Sequence, residues 1–234
     1  MNWKDIKTTQ DNTSFLYNGN FLFNKKFIEV LKFHSPGLAP VLDENGAYHI
    51  NVEGTPLYSH RYKRTFGFYD NRAAVIDKDD KWFHINEKGE RVYSKKFLWV
   101  GNYQENYCTV RDMQNNYYHI DLWGNELYAK KYVYVGDYKD GIACVCLYEG
   151  CFKHIDSQGN YINDKHFIDI GIFHKNFATA RDSVGWFHIN KKGEALYNER
   201  YLYVEPFYNG YALVTTFEYK KKIIDEKGKI FLTI

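Results

Sequence analysis

The sequence predicts an all-β repeat protein, and three observations carry the prediction. His-Ile-Asn/Asp followed by a Gly-closed turn is written at His49, His84, His119, His154 and His188, and a further copy, Ile223-Ile224-Asp225, lacks the His. These copies lie 35, 35, 35, 34 and 35 residues apart, and a period held so tightly is the signature of a repeat architecture. No stretch sustains a helical hydrophobic period, whereas short alternating segments between turn residues recur throughout.

The elements follow in order. Residues 1–14 have no counterpart in the period and read as a lead-in; residues 15–234 read as a single repeat domain entered part-way through a unit. Each unit of about 35 residues is expected to hold four short strands. The first is small-x-apolar: Ala39 and Val41, Ala73 and Val75, Cys108 and Val110, Ala143 and Val145, Ala178 and Ala180, Ala212 and Val214. Alternation places each such pair on one face, so something must pack closely there. Polar turns such as Glu44-Asn45-Gly46 lead to the second strand, for example Trp186-Phe187-His188-Ile189-Asn190. Its two faces carry Trp, His and Asn on one side and Phe and Ile on the other, so both should be at least partly covered. A Gly turn and an apolar-Tyr strand come next, as in Leu57-Tyr58 and Leu196-Tyr197. The fourth begins with a basic residue before an aromatic: Lys26, Arg61, Lys96, Lys131, His166 and Arg200.

Six such units suit a closed six-bladed β-propeller-like ring, the alternative being an open solenoid of stacked β-hairpins. The chain starts late in one unit and ends early in another, and two partial units can complete a closing blade. A rod would need polar caps, whereas Ile230-Phe231-Leu232 is apolar. The unit resembles the bacterial WG repeat, with its small-x-Val strand, aromatic strand ending in Ile-Asp, Gly, and apolar strand with Tyr. The resemblance spans about residues 15–230. It departs at the name-giving dipeptide, where Trp82-Phe83 and Trp186-Phe187 keep Trp but not Gly, and in the His placed before Ile. A His-Ile-Asp form is similar to repeat segments attached to bacterial methyltransferases; no methyltransferase part is present, so nothing catalytic is implied. The resemblance implies a binding or interaction module. The repeat length also resembles tectonin-type propellers, some of which bind glycans.

Composition narrows the function classes. The 234 residues are 44% hydrophobic and 26% charged, enough to bury a core. A net charge of +2 argues against a nucleic-acid partner. The outlier is the aromatic share, 19%, with 22 Tyr and 17 Phe, side chains that suit both thin β-layers and wet binding surfaces. Residues 1–10 hold no signal peptide and no segment approaches a membrane span, so a cytoplasmic protein without a membrane partner is expected. Cys108, Cys144, Cys146 and Cys151 are expected to be reduced structural thiols, a Cys146 to Cys151 cross-strand disulfide being the alternative; their spacing lacks the paired knuckles of a zinc site.

Repetition itself bears on chemistry, because active sites are usually singular. The repeated His residues are expected to hydrogen-bond within their own blades rather than bind metal. The basic residues either pair with the Asp or Asn after His-Ile or form an anion-attracting belt. No phosphate loop, nucleophile elbow or zinc-protease His pair occurs, so no enzyme and no cofactor are expected. The reading is a non-catalytic module binding a glycan or protein through loop aromatics, with a structural or assembly scaffold as the alternative and an enzyme acting on a sugar or nucleotide as the minor one. Candidate ligand-binding residues are Trp99, Trp123, His34, His174 and Tyr208, which break the pattern near turns, with Lys96, Lys131 and Arg200 from the basic series.

Overall fold

The computed structural model describes residues 1–147 and 151–234. Among these there is no α-helix, only a short 3-10 turn at Trp3–Asp5, and no helix is long and apolar enough to cross a membrane. The chain divides into two compact units, residues 1–115 with 120–125, and residues 116–119 with 126–234.

In the first unit, β1 (Lys7–Thr8), β2 (Phe15–Tyr17) and β3 (Asn20–Phe21) form one small antiparallel sheet. The next two are β4 (Glu29–Val30), β5 (Ala39–Asp43) and β6 (Gly46–Ile50), then β7 (Arg64–Tyr69), β8 (Arg72–Ile76) and β9 (Trp82–Ile85). A further sheet holds β10 (Trp99–Val100), β11 (Cys108–Arg111) and β12 (Tyr117–Ile120). The second unit holds β13 (Tyr134–Val135), β14 (Ile142–Cys146) and β15 (Phe152–Asp156), followed by β16 (Asp169–Ile170), β17 (Phe177–Arg181) and β18 (Trp186–Asn190). It ends in a four-stranded sheet of β19 (Tyr203–Val204), β20 (Tyr211–Thr215), β21 (Lys221–Asp225) and β22 (Ile230–Thr233). Every sheet pairs its strands in sequence order, so each repeat is a self-contained meander.

Register explains the small residue. On β8 and β9, Ala73 lies opposite Ile85 and Val75 opposite Phe83, all buried, while Ala74 lies opposite the buried His84. Both faces of the hairpin are therefore covered, as the alternation requires. The expected third strand is not a strand. Ile50 bridges to Pro56, Ile85 to Arg91 and Ile189 to Ala195, after which the chain bends away. The Tyr that follows leaves the sheet edge to reach a His. Among the described residues, only the last repeat, with Ile223 in the His position, continues into a fourth strand, with Leu232 paired to Ile223.

The lead-in also has a structural counterpart. β1 pairs with β2, and Phe15 sits fully buried among Ile6, Phe27, Val30 and Phe33. The amide of Leu22 donates to the Phe15 carbonyl as that of Leu57 does to His49, so Phe15 occupies the His position of a first, apolar unit. All four thiols are free, three of them buried. The turn expected between Cys146 and Cys151 includes residues 148–150, which lie outside the described residues.

Candidate functional site

The repeated His residues are nearly inaccessible, between 0 and 3% exposed. Their partners follow one rule. Nε2 faces the carbonyl oxygen 17 residues on: Phe66 at 2.7 Å for His49, Gly101 at 3.0 Å for His84, Gly136 at 2.8 Å for His119, Gly171 at 2.9 Å for His154 and Glu205 at 2.8 Å for His188. A carbonyl can only accept, so Nε2 carries the proton and Nδ1 presents a lone pair. In four repeats a phenol nine residues on donates to that lone pair, Tyr58, Tyr93, Tyr128 and Tyr197, at 2.5–2.7 Å. Burial holds all five imidazoles down at about 4, against an opposing pull from the carbonyls.

Each His thus bonds to the chain of its own 35-residue unit, but not within its own sheet. The fourth segment of the unit leads the following sheet, and its carbonyl, at the β7 bulge for His49 and just past the first strand for the others, ties one sheet to the next. The tyrosines do likewise: a Cβ on Gly89, at φ +77°, would lie 2.2 Å from the ring of Tyr58, and one on Gly124 2.5 Å from the ring of Tyr93. Glycine is needed there both for the backbone angle and for the ring of the preceding repeat.

The Asn or Asp after Ile has a separate task. Asn86 Oδ1 accepts from the amides of Lys88 and Glu90, and Asp121, Asp156, Asn190 and Asp225 repeat the pattern with their own turns. An accepting oxygen suffices, so Asn and Asp interchange. These residues are therefore not the partners of the basic series, contrary to expectation. Lys96 instead pairs with Asp77 at 2.6 Å and Arg200 with Asp182 at 2.7 Å, both acids of the first hairpin turn. Lys131 meets Glu126 at 3.1 Å and lies 3.1 Å from the Tyr118 ring centroid. Arg200 also covers Phe187 at 3.6 Å and donates to the carbonyls of Asn198 and Glu199.

The other candidates are scattered. Trp123 is 68% and Tyr208 77% exposed, His174 is exposed, and Trp99 is at the margin, paired across β10 and β11 with Arg111. Of the eight candidate residues, His34 alone lines the cleft that follows. It is about 370 Å³ and is lined among others by Asn12, Glu29, Lys32, His34, Phe66, Tyr69 and Asn102. A β-bulge builds its floor: between Thr65 and Phe68 the register of β7 shifts, leaving Phe66 and Gly67 out of the ladder. The freed Phe66 carbonyl takes the His49 bond, and the bare Gly67 admits the imidazole of His34, whose Cδ2 would lie 2.5 Å from a Cβ there. His34 and Tyr69 then sit with ring centroids 5.0 Å apart. Burial, helped by Lys32, lowers the His34 pKa, and Glu29 is ion-paired with Arg64. Tyr69 escaped the sequence reading, although it stands one period after His34 and one before Gln104.

The arrangement is that of a β-propeller-type repeat protein. Solved structures that resemble it include the computationally designed Ika8 protein (11% identity, 98% of this chain and 85% of that chain, TM-score 0.52) and BamB from Moraxella catarrhalis (12%, 98% and 84%, 0.51). A third is a eukaryotic initiation factor (9%, 98% and 72%, TM-score 0.54). Residues 50–82 match the family model described as WG containing repeat. No curated protein compared with the chain matches it.

Proposed function

We propose that the chain is a non-catalytic binding module whose cleft at His34 and Tyr69 takes a glycan. A repeat binding or scaffold role agrees with the WG repeat and the propeller fold; the ligand class is inferred from the cleft. The observation that supports it most is the lining itself: two adjacent aromatic rings, with amides from Asn12 and Asn102 and the carboxylate of Glu29, itself paired with Arg64. Rings offer flat apolar faces to sugar C–H groups, while amides both donate and accept toward hydroxyls. A glycan array probed with the wild type and with Tyr69→Ala and His34→Ala tests it. Selective binding lost in both variants is expected; a flat array for the wild type overturns the glycan reading.

A second reading, assembly through protein contacts, has its own support. β22 is an edge strand exposed along its length, with Phe231 at 70% and Leu232 at 49%, and edges of this kind invite strand pairing. Sedimentation of the wild type against Phe231→Lys tests it: a larger species lost on substitution supports assembly, and a monomer in both overturns it.

A further inference from the structure

The fifth repeat breaks the rule that its sisters keep. Nine residues after His154 stands Asn163, not Tyr, and its amide is engaged elsewhere: Nδ2 donates to the Lys191 carbonyl at 3.1 Å and Oδ1 accepts from the Lys165 amide at 3.0 Å. His154 Nδ1 is buried without a partner, in a side chain only 3% exposed. Because Nε2 is committed as donor to Gly171, this lone pair can be satisfied only by an incoming donor. The glycine one repeat on reports the same substitution of partners. Where Gly89, Gly124, Gly159 and Gly228 face tyrosine rings, Gly193 faces the Lys165 stem at 2.8 Å and Asn163 Oδ1 at 2.9 Å.

The surroundings suited to an aromatic ring are nevertheless kept. In the sister repeats each Tyr meets a second aromatic edge-on, Tyr58 with Tyr62, Tyr93 with Phe97, Tyr128 with Tyr132 and Tyr197 with Tyr201, at 5.9–6.0 Å. The matching Phe167 is present and buried. Asn163 is half-buried and Lys165 exposed, and the flexible Lys165 stem holds part of the place a ring takes in the sister repeats, so a ring entering there displaces it.

We propose that the fifth repeat carries a ligand site at His154, in which a small phenolic molecule donates its hydroxyl to Nδ1 and seats its ring where the sister repeats seat tyrosine. This site is separate from the His34 cleft and does not depend on the reading given to it. A ketone or carboxylate brings no donor, and benzene brings the ring alone, so the hydroxyl and the ring are both selected.

The test is titration of histidine-¹⁵N-labelled protein with phenol and, separately, with benzene, following the imidazole nitrogens of His154 by NMR. Phenol is expected to give a saturable shift at Nδ1 that benzene does not reproduce. Asn163→Tyr supplies the missing group in cis and should abolish the response; Asn163→Phe fills the place without a hydroxyl and should abolish it too, so one variant suffices if the other does not fold. No saturable phenol response in the wild type, an equal response to benzene, or a response that persists in either folded variant overturns the proposal.

Discussion

Tyr93 donates to His84 Nδ1 across 2.5 Å while its ring lies against the bare backbone of Gly124, so a single phenol joins two neighbouring repeats by a polar and an apolar contact at once. Removing the hydroxyl separates the two. Tyr93→Phe keeps the ring but leaves a buried acceptor unsatisfied, and should cost about 1–3 kcal/mol in urea unfolding. An unchanged midpoint would show that water takes the hydroxyl's place without loss.

Gly124→Ala attacks the same junction from the other side. The new methyl must be accommodated at a φ of +83° and 2.5 Å from the Tyr93 ring. Left-handed strain and overpacking each cost on the order of 1–3 kcal/mol, so a loss of at least ~2 kcal/mol is expected. Gly141→Ala, at φ +73° with open space around it, isolates the backbone contribution and should cost less.

The His set makes stability depend on pH in a defined direction. Each of the five has a pKa of about 4 in the fold against an ordinary 6.5, so the unfolded chain takes up protons first as pH falls. Their stabilisation is complete above 6.5 and is lost between 6.5 and 4. Each contributes a slope of up to about 1.4 kcal/mol per pH unit, so five together rival a typical total of about 5–15 kcal/mol within two units. Circular dichroism should show cooperative acid unfolding centred at about pH 5. A fold intact at pH 4 would contradict this.

Arg200 is a brace. It holds Asp182, covers Phe187 and caps two turn carbonyls, so Arg200→Ala should cost about 1–2 kcal/mol while Lys63→Ala, in an exposed pair with Asp80, should cost less than about 1 kcal/mol. Equal losses, read from thermal unfolding, would show that the extra contacts of Arg200 contribute nothing.

Much of this was readable in the chain. The spacing of the five His residues gave the repeat, and turn chemistry placed Gly124 and its sisters. Strand alternation could not reveal that His84 reaches the Gly101 carbonyl, since that contact belongs to the stacking of one meander on the next. The apolar-Tyr segment looked like a strand because Leu57-Tyr58 has strand composition; its Tyr is drawn away by a hydrogen bond that composition does not record. Tyr69 was hidden by resembling its aromatic surroundings, although the period alone would have paired it with His34. The acid partners of Lys96 and Arg200 were misassigned because Asn86 and Asn190 stand closer to the motif, and their oxygens are already spent on their own turns.

The seam between repeats has a consequence for how the chain comes apart. If neighbours are tied mainly by the His and Tyr ties, cooperativity passes along the array from one link to the next, as along a line of coupled units. The link carrying Asn163 has lost one of its two ties. Amide hydrogen exchange should therefore be faster on either side of it than at the intact links of His49, His84, His119 and His188.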